Sequence, residues 1–563
     1  MHELVIRGGT VVDGTGAPSV TADVAVDEGR ITEVGRVAGR GHREIDADGL
    51  VVAPGWVDIH THYDGQVTWD PELSPSSWHG VTTVVMGNCG VGFAPVQKGS
   101  EAFLIELMEG VEDIPGTALH EGIDWNWESF PEYLDALDAS EHALDVAAQV
   151  PHAALRAYVM GDRAHERDAD AEEIALMSKL AEEALRAGAC GVSTSQTILH
   201  RSKHGLVPGT DAPPEELVAL GEAVGRAGHG VFQLIYDHQG GAGDREWLVD
   251  LVDRTGITCT YSLAQSGFAP DAWREALASA AEDDAAGRRI IPQVADRPTG
   301  MLFGLQSSLH PFITHPTYRA LADLPLAERV ARLSQPDVRA ALLSEGPGTK
   351  SPIAIGLMQR WAQMFPLGDP PDYEPPRSAS AEGVAEREGR SPQEVVLDWL
   401  LERGGTAFLF APLASYVEHN HDALHEMMTD PNTVLGLSDG GAHCGLICDV
   451  SMPTYLLTHW VKGRERGPRL GLEQAISLQT SRTAAAYGFR DRGVVEPGRR
   501  ADLNLIDLDA MHLQAPEMVF DLPADGRRLV QRAEGYVATL VAGEAIMEQG
   551  QSTGARPGRL VRF

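Results

Sequence analysis

His60 and His62 stand in the run Asp58-Ile59-His60-Thr61-His62, directly after the apolar stretch that carries Trp56 and Val57. In an extended strand, residues i and i+2 project to the same side. The two imidazoles therefore converge on one point just past the strand end. Two imidazoles at that spacing suit zinc and similar metals. A second reactive segment is Leu437-Ser438-Asp439-Gly440-Gly441-Ala442-His443. An apolar strand ends there, and the Asp439 carboxylate could ligate a metal or take a proton from attacking water. An Asp opening a Gly-rich turn is ordinary turn chemistry, but beside the histidine pair it reads as catalytic. His443 could hydrogen-bond a substrate or orient Asp439. The third segment is Asn88-Cys89-Gly90, where a thiolate would be a strong zinc ligand. A buried, unreactive cysteine is the alternative there, although Gly87 and Gly90 permit unusual backbone geometry.

The elements that must hold these residues follow from periodicity. An amphipathic helix is predicted over 171–187, and others over 214–227, 244–255 and 271–286. Each is followed by a glycine and then a strand-like run: CGVSTS, GVFQLIY, ITCTYSL and RIIPQV. Repeated helix–strand units imply parallel strands with crossover helices. WVDIH (56–60), VTTVVM (81–86) and LDVAAQV (144–150) supply strands 1 to 3, the four runs above strands 4 to 7, and TVLGLS (433–438) strand 8. Eight such strands fit an α/β fold with a (β/α)8 TIM-like barrel over 56–488. A doubly wound open sheet is the alternative, because counting strands does not prove closure. The span 297–405, between strands 7 and 8, holds the proline-dense PLGDPPDYEPP and a helix near 392–402, and reads as a lid or insertion. The ends, 1–55 and 489–563, have β-type patterning broken by turns such as Glu28-Gly29.

Bulk properties exclude some functions. The 563 residues carry 81 acidic and 45 basic side chains, a net charge of -36. Such a surface repels phosphate backbones and anionic membranes. The opening MHELVIRGGTVVDG has no basic segment ahead of an apolar one, so no secretory signal is expected. No apolar run approaches the ~20 residues needed to span a bilayer. Five scattered cysteines do not suggest a disulfide framework, so a cytoplasmic setting is expected. The partner implied is a small-molecule substrate; an oligomer is possible.

APGWVDIHTHYDGQ, GNCGVGFAP and LSDGGAH together resemble the amidohydrolase superfamily, and within it the N-acyl-D-amino-acid deacylase (D-aminoacylase) branch. The opening LVIRGGTVVDG and the closing SRTAAAYGFRDRGVVEPGRRADLNLIDLD are similar to that superfamily as well. The resemblance implies a small β-sandwich built from both chain ends beside the barrel. It implies that His60 and His62 are metal ligands, Cys89 a further zinc ligand and Asp439 the catalytic acid/base. The cofactor implied is Zn2+, one or two ions, and the reaction is hydrolysis of a C–N amide bond of an N-acyl compound.

The sequence departs from that branch at two ligands. Relatives carry a histidine at the ends of strands 5 and 6, where VFQLIYDHQ and TCTYSLAQS place Ile235 and Leu263. His238 lies three residues further on. An atypical ligand shell is therefore expected. Glu109 and Glu112 are conceivable substitutes, unless they form a solvated helix face. His200 and Arg201, after strand 4, are candidate substrate-binding residues, with Arg201 able to grip a carboxylate bidentately; a plain surface loop is the alternative. Arg297 could bind an anion or form a salt bridge. Two other functions remain open: hydrolysis of a cyclic amide such as a hydantoin or lactam, and a non-catalytic barrel that has lost its metal. Cyclic-amide relatives normally carry a carboxylated lysine on strand 4, and CGVSTSQ has none.

Overall fold

The computed structural model describes residues 1–237 and 245–563; His238 lies outside the described residues. The eight expected strands are Trp56–Asp58, Val81–Met86, Asp145–Pro151, Gly191–Gln196, Val231–Tyr236, Thr258–Ser262, Ile290–Val294 and Val434–Leu435. Each pairs in parallel with the next in sequence order. Strands 1 and 8 meet just beyond their regular lengths. Thr61 bridges Gly440 in parallel, His62 N donates to Gly440 O at 2.7 Å, and Asp439 N donates to His60 O at 3.1 Å. These bonds close the ring and rule out the open sheet. They run through the candidate metal residues themselves, so closing the barrel also assembles the site.

The crossover helices form for local reasons. Ala171–Arg186 starts in a capping box, where the Asp170 side chain accepts from Glu173 N and the Glu173 carboxylate accepts from Asp170 N. It buries Met177, Ala181, Ala184 and Leu185, a 3.6-residue stripe against the sheet. Pro214–Ala227 and Glu246–Thr255 end at Gly228 and Gly256, both left-handed, as helix stops require.

Both chain ends contribute to one nine-stranded sheet. His2–Val11 pairs Val20–Asp27 along one edge and, on the other, first Gly41–Asp46 and then Val51–Pro54. The register shifts between Ile6 and Gly9, and a Cβ at Gly9 would lie 2.5 Å from Val52 Cγ2. From the far end of the chain, Leu503–Ile506, Tyr536–Val541, Glu544–Glu548 and Gln551–Ser552 complete the sheet. Not all of 489–563 joins it. Glu517–Leu522 and Gly526–Val530 form a separate hairpin, whose Leu529 N donates to Cys444 O at 2.6 Å, on the loop after strand 8.

The span after strand 7 has its own antiparallel sheet, Gly300–Phe303, Leu409–Pro412 and Phe365–Pro366. Its core includes Met301, Phe303, Leu333, Leu342, Val396, Leu400 and Leu409. Its central strand, Leu409–Pro412, lies past 405, so the sheet runs beyond the proline and helix signals. The helix expected near 392–402 is Pro392–Leu401. Among the described residues, no helix is long and apolar enough to cross a membrane.

Candidate metal centre

Strand 1 delivers both histidines to the carboxyl end of the barrel, where they are buried. His60 Nδ1 lies 2.9 Å from Gln293 Oε1. An amide oxygen only accepts, so Nδ1 carries the hydrogen and Nε2 keeps its lone pair. That Nε2 is 3.2 Å from Cys89 Sγ and 3.6 Å from Asp439 Oδ1. His62 Nε2 is 3.7 Å from the same Asp439 oxygen. The donor atoms of His60, His62 and Cys89 all lie within 4.8 Å of one another. Two imidazoles, a thiol and a carboxylate thus face one point.

The backbone is bent to allow this. Cys89, Leu437, Asp439 and His443 all have positive φ, between 51° and 67°. Such conformations cost non-glycine residues on the order of 1 kcal/mol or more each and collect at functional sites. Gly90, with φ of +73°, packs where a Cβ would meet Ser195 N at 2.8 Å. Asp58 pins strand 1 to strand 8. Its carboxylate accepts from His60 N at 3.1 Å and from the Ser438 hydroxyl, and burial pushes it up to about 7.

The supporting residues are glutamines. Strands 3, 5 and 7, alternate strands of the kind that fill one layer of a barrel, contribute the buried Gln149, Gln233 and Gln293. Gln149 Nε2 donates to Asn88 Oδ1 at 2.8 Å, and Gln233 Oε1 accepts from Cys89 N at 3.0 Å. Gln293 holds His60 and donates to Thr260 Oγ1 at 3.0 Å. The sequence reading missed all three. The available signal was a single amide side chain in an apolar run of each of three strands, AAQV, VFQLI and IIPQV.

Electrostatics follow from burial in a charged cluster. Burial lowers His60 to about 4 despite the Asp439 charge. Burial also works against His62, but the Glu112 charge and the bond to Asp439 outweigh it and raise that imidazole well above its ordinary value. Burial would raise the Asp439 carboxyl, yet its bond from His62 and the His60 and His443 charges hold it far below the usual range. Burial pushes the Cys89 thiol up to about 12, so a thiolate here needs a cation beside it.

The remaining candidates divide. His443 Nε2 lies 3.6 Å from Glu112 Oε2 and 4.0 Å from Asp439 Oδ2. His200 is half-buried, bonds Ser195 Oγ at 3.0 Å, and is lowered to about 3 by burial and by the His443 and His62 charges. Arg201, its neighbour, is instead exposed on a two-stranded hairpin and has no ion pair among the described residues. Glu112 is buried while Glu109 is exposed, so only one of that pair reaches the site. Arg297 is enclosed, paired to Asp449 at 3.0 Å and stacked 4.0 Å over Tyr373. It is a salt-bridge residue, not a free anion site. Ile235 is half-buried and Leu263 buried, both packed with the main core, so strands 5 and 6 offer hydrocarbon at the positions in question. The donor set that remains, two nitrogens and one sulfur with a carboxylate oxygen beside them, suits zinc.

The amidohydrolase family matches residues 43–547. D-aminoacylase of Alcaligenes xylosoxydans xylosoxydans is 28% identical over 99% of this chain and 97% of that one. A D-aminoacylase structure, described by one-metal activation and second-metal attenuation of its binuclear centre, superposes with a TM-score of 0.67 at 25% identity, covering 100% of both chains. N-acyl-D-glutamate deacylase of Bordetella bronchiseptica, complexed with zinc and a phosphonate inhibitor, shares the fold with a TM-score of 0.66 at 24% identity, again over 100% of both chains.

Proposed function

The chain belongs to the amidohydrolase family, in its D-aminoacylase-like branch, and on that premise we propose that it hydrolyses the amide bond of an N-acyl-D-amino acid with one zinc ion. The observation that carries this reading is the convergence of His60, His62 and Cys89, with Asp439 Oδ1 at 3.6 and 3.7 Å from the two imidazoles. His60, His62 and Cys89 would hold the ion, with the Asp439 carboxylate beside it and a position left for water. When bound, the ion would supply Lewis acidity for the scissile carbonyl and for a water molecule. Asp439 accepts the water's proton and hands it to the leaving amine. His443 steadies the second oxygen of Asp439 and hydrogen-bonds the substrate. His200 stands in the same charged cluster. Arg201 attracts the substrate carboxylate at the entrance.

A single ion is favoured because Ile235 and Leu263 give a second one no ligands from strands 5 and 6. A cyclic-amide substrate is disfavoured because strand 4, Gly191–Gln196, has no lysine to bridge two ions. The region 56–488 is the catalytic barrel, the insertion that begins near 297 covers its mouth, and the segments 1–55 and 489–563 support it from the side. Five free, buried cysteines suit a reducing cytoplasm.

The test pairs elemental analysis with a substrate panel. One zinc per chain, with turnover of N-acetyl-D-amino acids well above that of their L-enantiomers, is the expected result. A metal-free protein that stays inactive after zinc addition, or turnover of hydantoins alone, would overturn the reading.

A further inference from the structure

Glu112 ends the helix Glu101–Glu112 in the excursion after strand 2, and only 1% of it is exposed. Among the described residues it has no Lys or Arg partner; its ion-pair contacts are two histidines. A buried carboxylate without a fixed cation is costly unless its partners are charged or strongly polarised donors. Oε1 lies 3.5 Å from His62 Nδ1, and both atoms are buried with no hydrogen-bond partner, facing each other. Oε2 lies 3.6 Å from His443 Nε2, and the His443 backbone N–H donates to the Glu112 carbonyl.

This arrangement fixes which nitrogen of His62 faces the ion. Nε2 points to Asp439, so Nδ1 points away, toward Glu112. A carboxylate only accepts, so a hydrogen bond across this gap takes its hydrogen from Nδ1. The next residue holds the carboxylate in place. Asp113, left-handed at the helix end, accepts from Gly445 N at 3.0 Å and from the Ser308 hydroxyl at 2.9 Å. Gly445 lies on the strand 8 loop and Ser308 in the insertion.

We propose that Glu112 is the positioning carboxylate of the metal site, orienting His62 from one oxygen and His443 from the other. The two ligand histidines are then held differently. His60 leans on a neutral amide, and His62 on a carboxylate that raises its basicity. Glu112 thereby steadies from outside a ligand set that receives no imidazole from strand 5 or 6. The proposal rests on the zinc site assigned above but not on its substrate.

The experiment measures zinc affinity by chelator competition in Glu112→Ala, Glu112→Gln and Glu112→Asp, with circular dichroism to establish folding. Removing a carboxylate behind a metal-bound histidine weakens metal binding about 10–100-fold, so Glu112→Ala should lose that much. Glu112→Asp and Glu112→Gln should each retain part of it. The Co2+-substituted Ala variant should show a shifted ligand-field spectrum with the same coordination number. Unchanged affinity and spectrum in Glu112→Ala would overturn the proposal. X-ray absorption that finds one oxygen fewer around zinc in Glu112→Ala would overturn it too, because Glu112 would then be a direct ligand. If Glu112→Ala does not fold, the near-isosteric Glu112→Gln carries the same readouts, and wild-type zinc affinity there is the overturning result. Zinc bound tightly by the wild type without hydrolysis of any acyl amino acid would sink the proposed function and leave this inference standing.

Discussion

Two clusters in this protein bring three metal-type side chains together. One is His60, His62 and Cys89; the other is Glu374, His421 and His459, between the insertion and the helical segment after strand 8. By residue type and spacing both could hold a cation, and what separates them is the state of their lone pairs. Glu374 already receives Arg464 from both sides, at 3.2 and 3.1 Å, and His459 Nε2 at 3.0 Å. His421 Nε2 bonds the Tyr373 carbonyl at 2.9 Å, and Arg464 stacks 4.6 Å from the Trp460 ring centre. A guanidinium that neutralises the carboxylate leaves nothing for a cation to gain. In the first cluster no Lys or Arg pairs with the ligand residues among those described, and His62 Nδ1 and Glu112 Oε1 face each other with no hydrogen-bond partner. Proximity of donors is therefore insufficient; a metal site also needs donors that the fold has not already used.

The strongest way to break this contrast is His60→Ala/His62→Ala, which should abolish stoichiometric zinc and reduce hydrolysis to background. Elemental analysis and initial rates read both. Retention of one zinc per chain would show that the wrong cluster had been chosen. Asp439→Asn should lower kcat about 10²–10⁴-fold, the usual contribution of a positioned acid/base, while zinc still binds through the other three donors. Zinc content measured beside the steady-state rates separates the two effects.

Glu374→Ala should do the opposite, leaving zinc content intact while destabilising the fold. It strips one of two carboxylate partners from the buried Arg464, Asp422 remaining at 2.8 Å, so the cost should fall short of the about 3–5 kcal/mol of a fully broken buried pair. Chemical denaturation reads the loss, and a fall in zinc content instead would mark the second cluster as a metal site. The same carboxylate gives a pH signature. Burial would raise Glu374, but the His459 bond, the His421 charge and the Arg464 bond hold it well below the usual range. A group lowered in the folded state stabilises above its unfolded pKa, and that contribution fades as pH falls through and below it. Below about pH 4.5, the wild type should therefore lose stability more steeply than Glu374→Gln. Parallel acid-denaturation curves for the two would remove this group from the account. The smallest effect belongs to Arg201→Ala. An exposed charge at the entrance should alter KM by only a few-fold, in a salt-dependent way, with kcat unchanged.

Much of the site was legible because strands have a short, rigid period. Alternation along a strand brings His60 and His62 to one side whatever the rest of the chain does. Helix and loop residues were less legible. Glu109 and Glu112 are three positions apart on one helix, and nothing local says which faces the barrel; packing of that helix buries Glu112 and exposes Glu109. His200 and Arg201 are adjacent, yet one turns inward onto Ser195 while the other faces solvent. Arg297 had two readings until the chain returned Asp449 to it from 152 positions away. The second cluster, drawn from positions 374, 421 and 459, had no sequence signal at all.

The sequence by itself determined the donor types, the strand that carries the histidine pair and the (β/α)8 order, because those depend on residue chemistry and local periodicity. Only the tertiary structure decided that strands 1 and 8 close through His60, His62 and Asp439, that Glu112 stands behind His62, and that Arg464 occupies the rival cluster. Each of these is a contact between residues distant in the chain, and such contacts are set by how buried polar groups find partners once the core has packed.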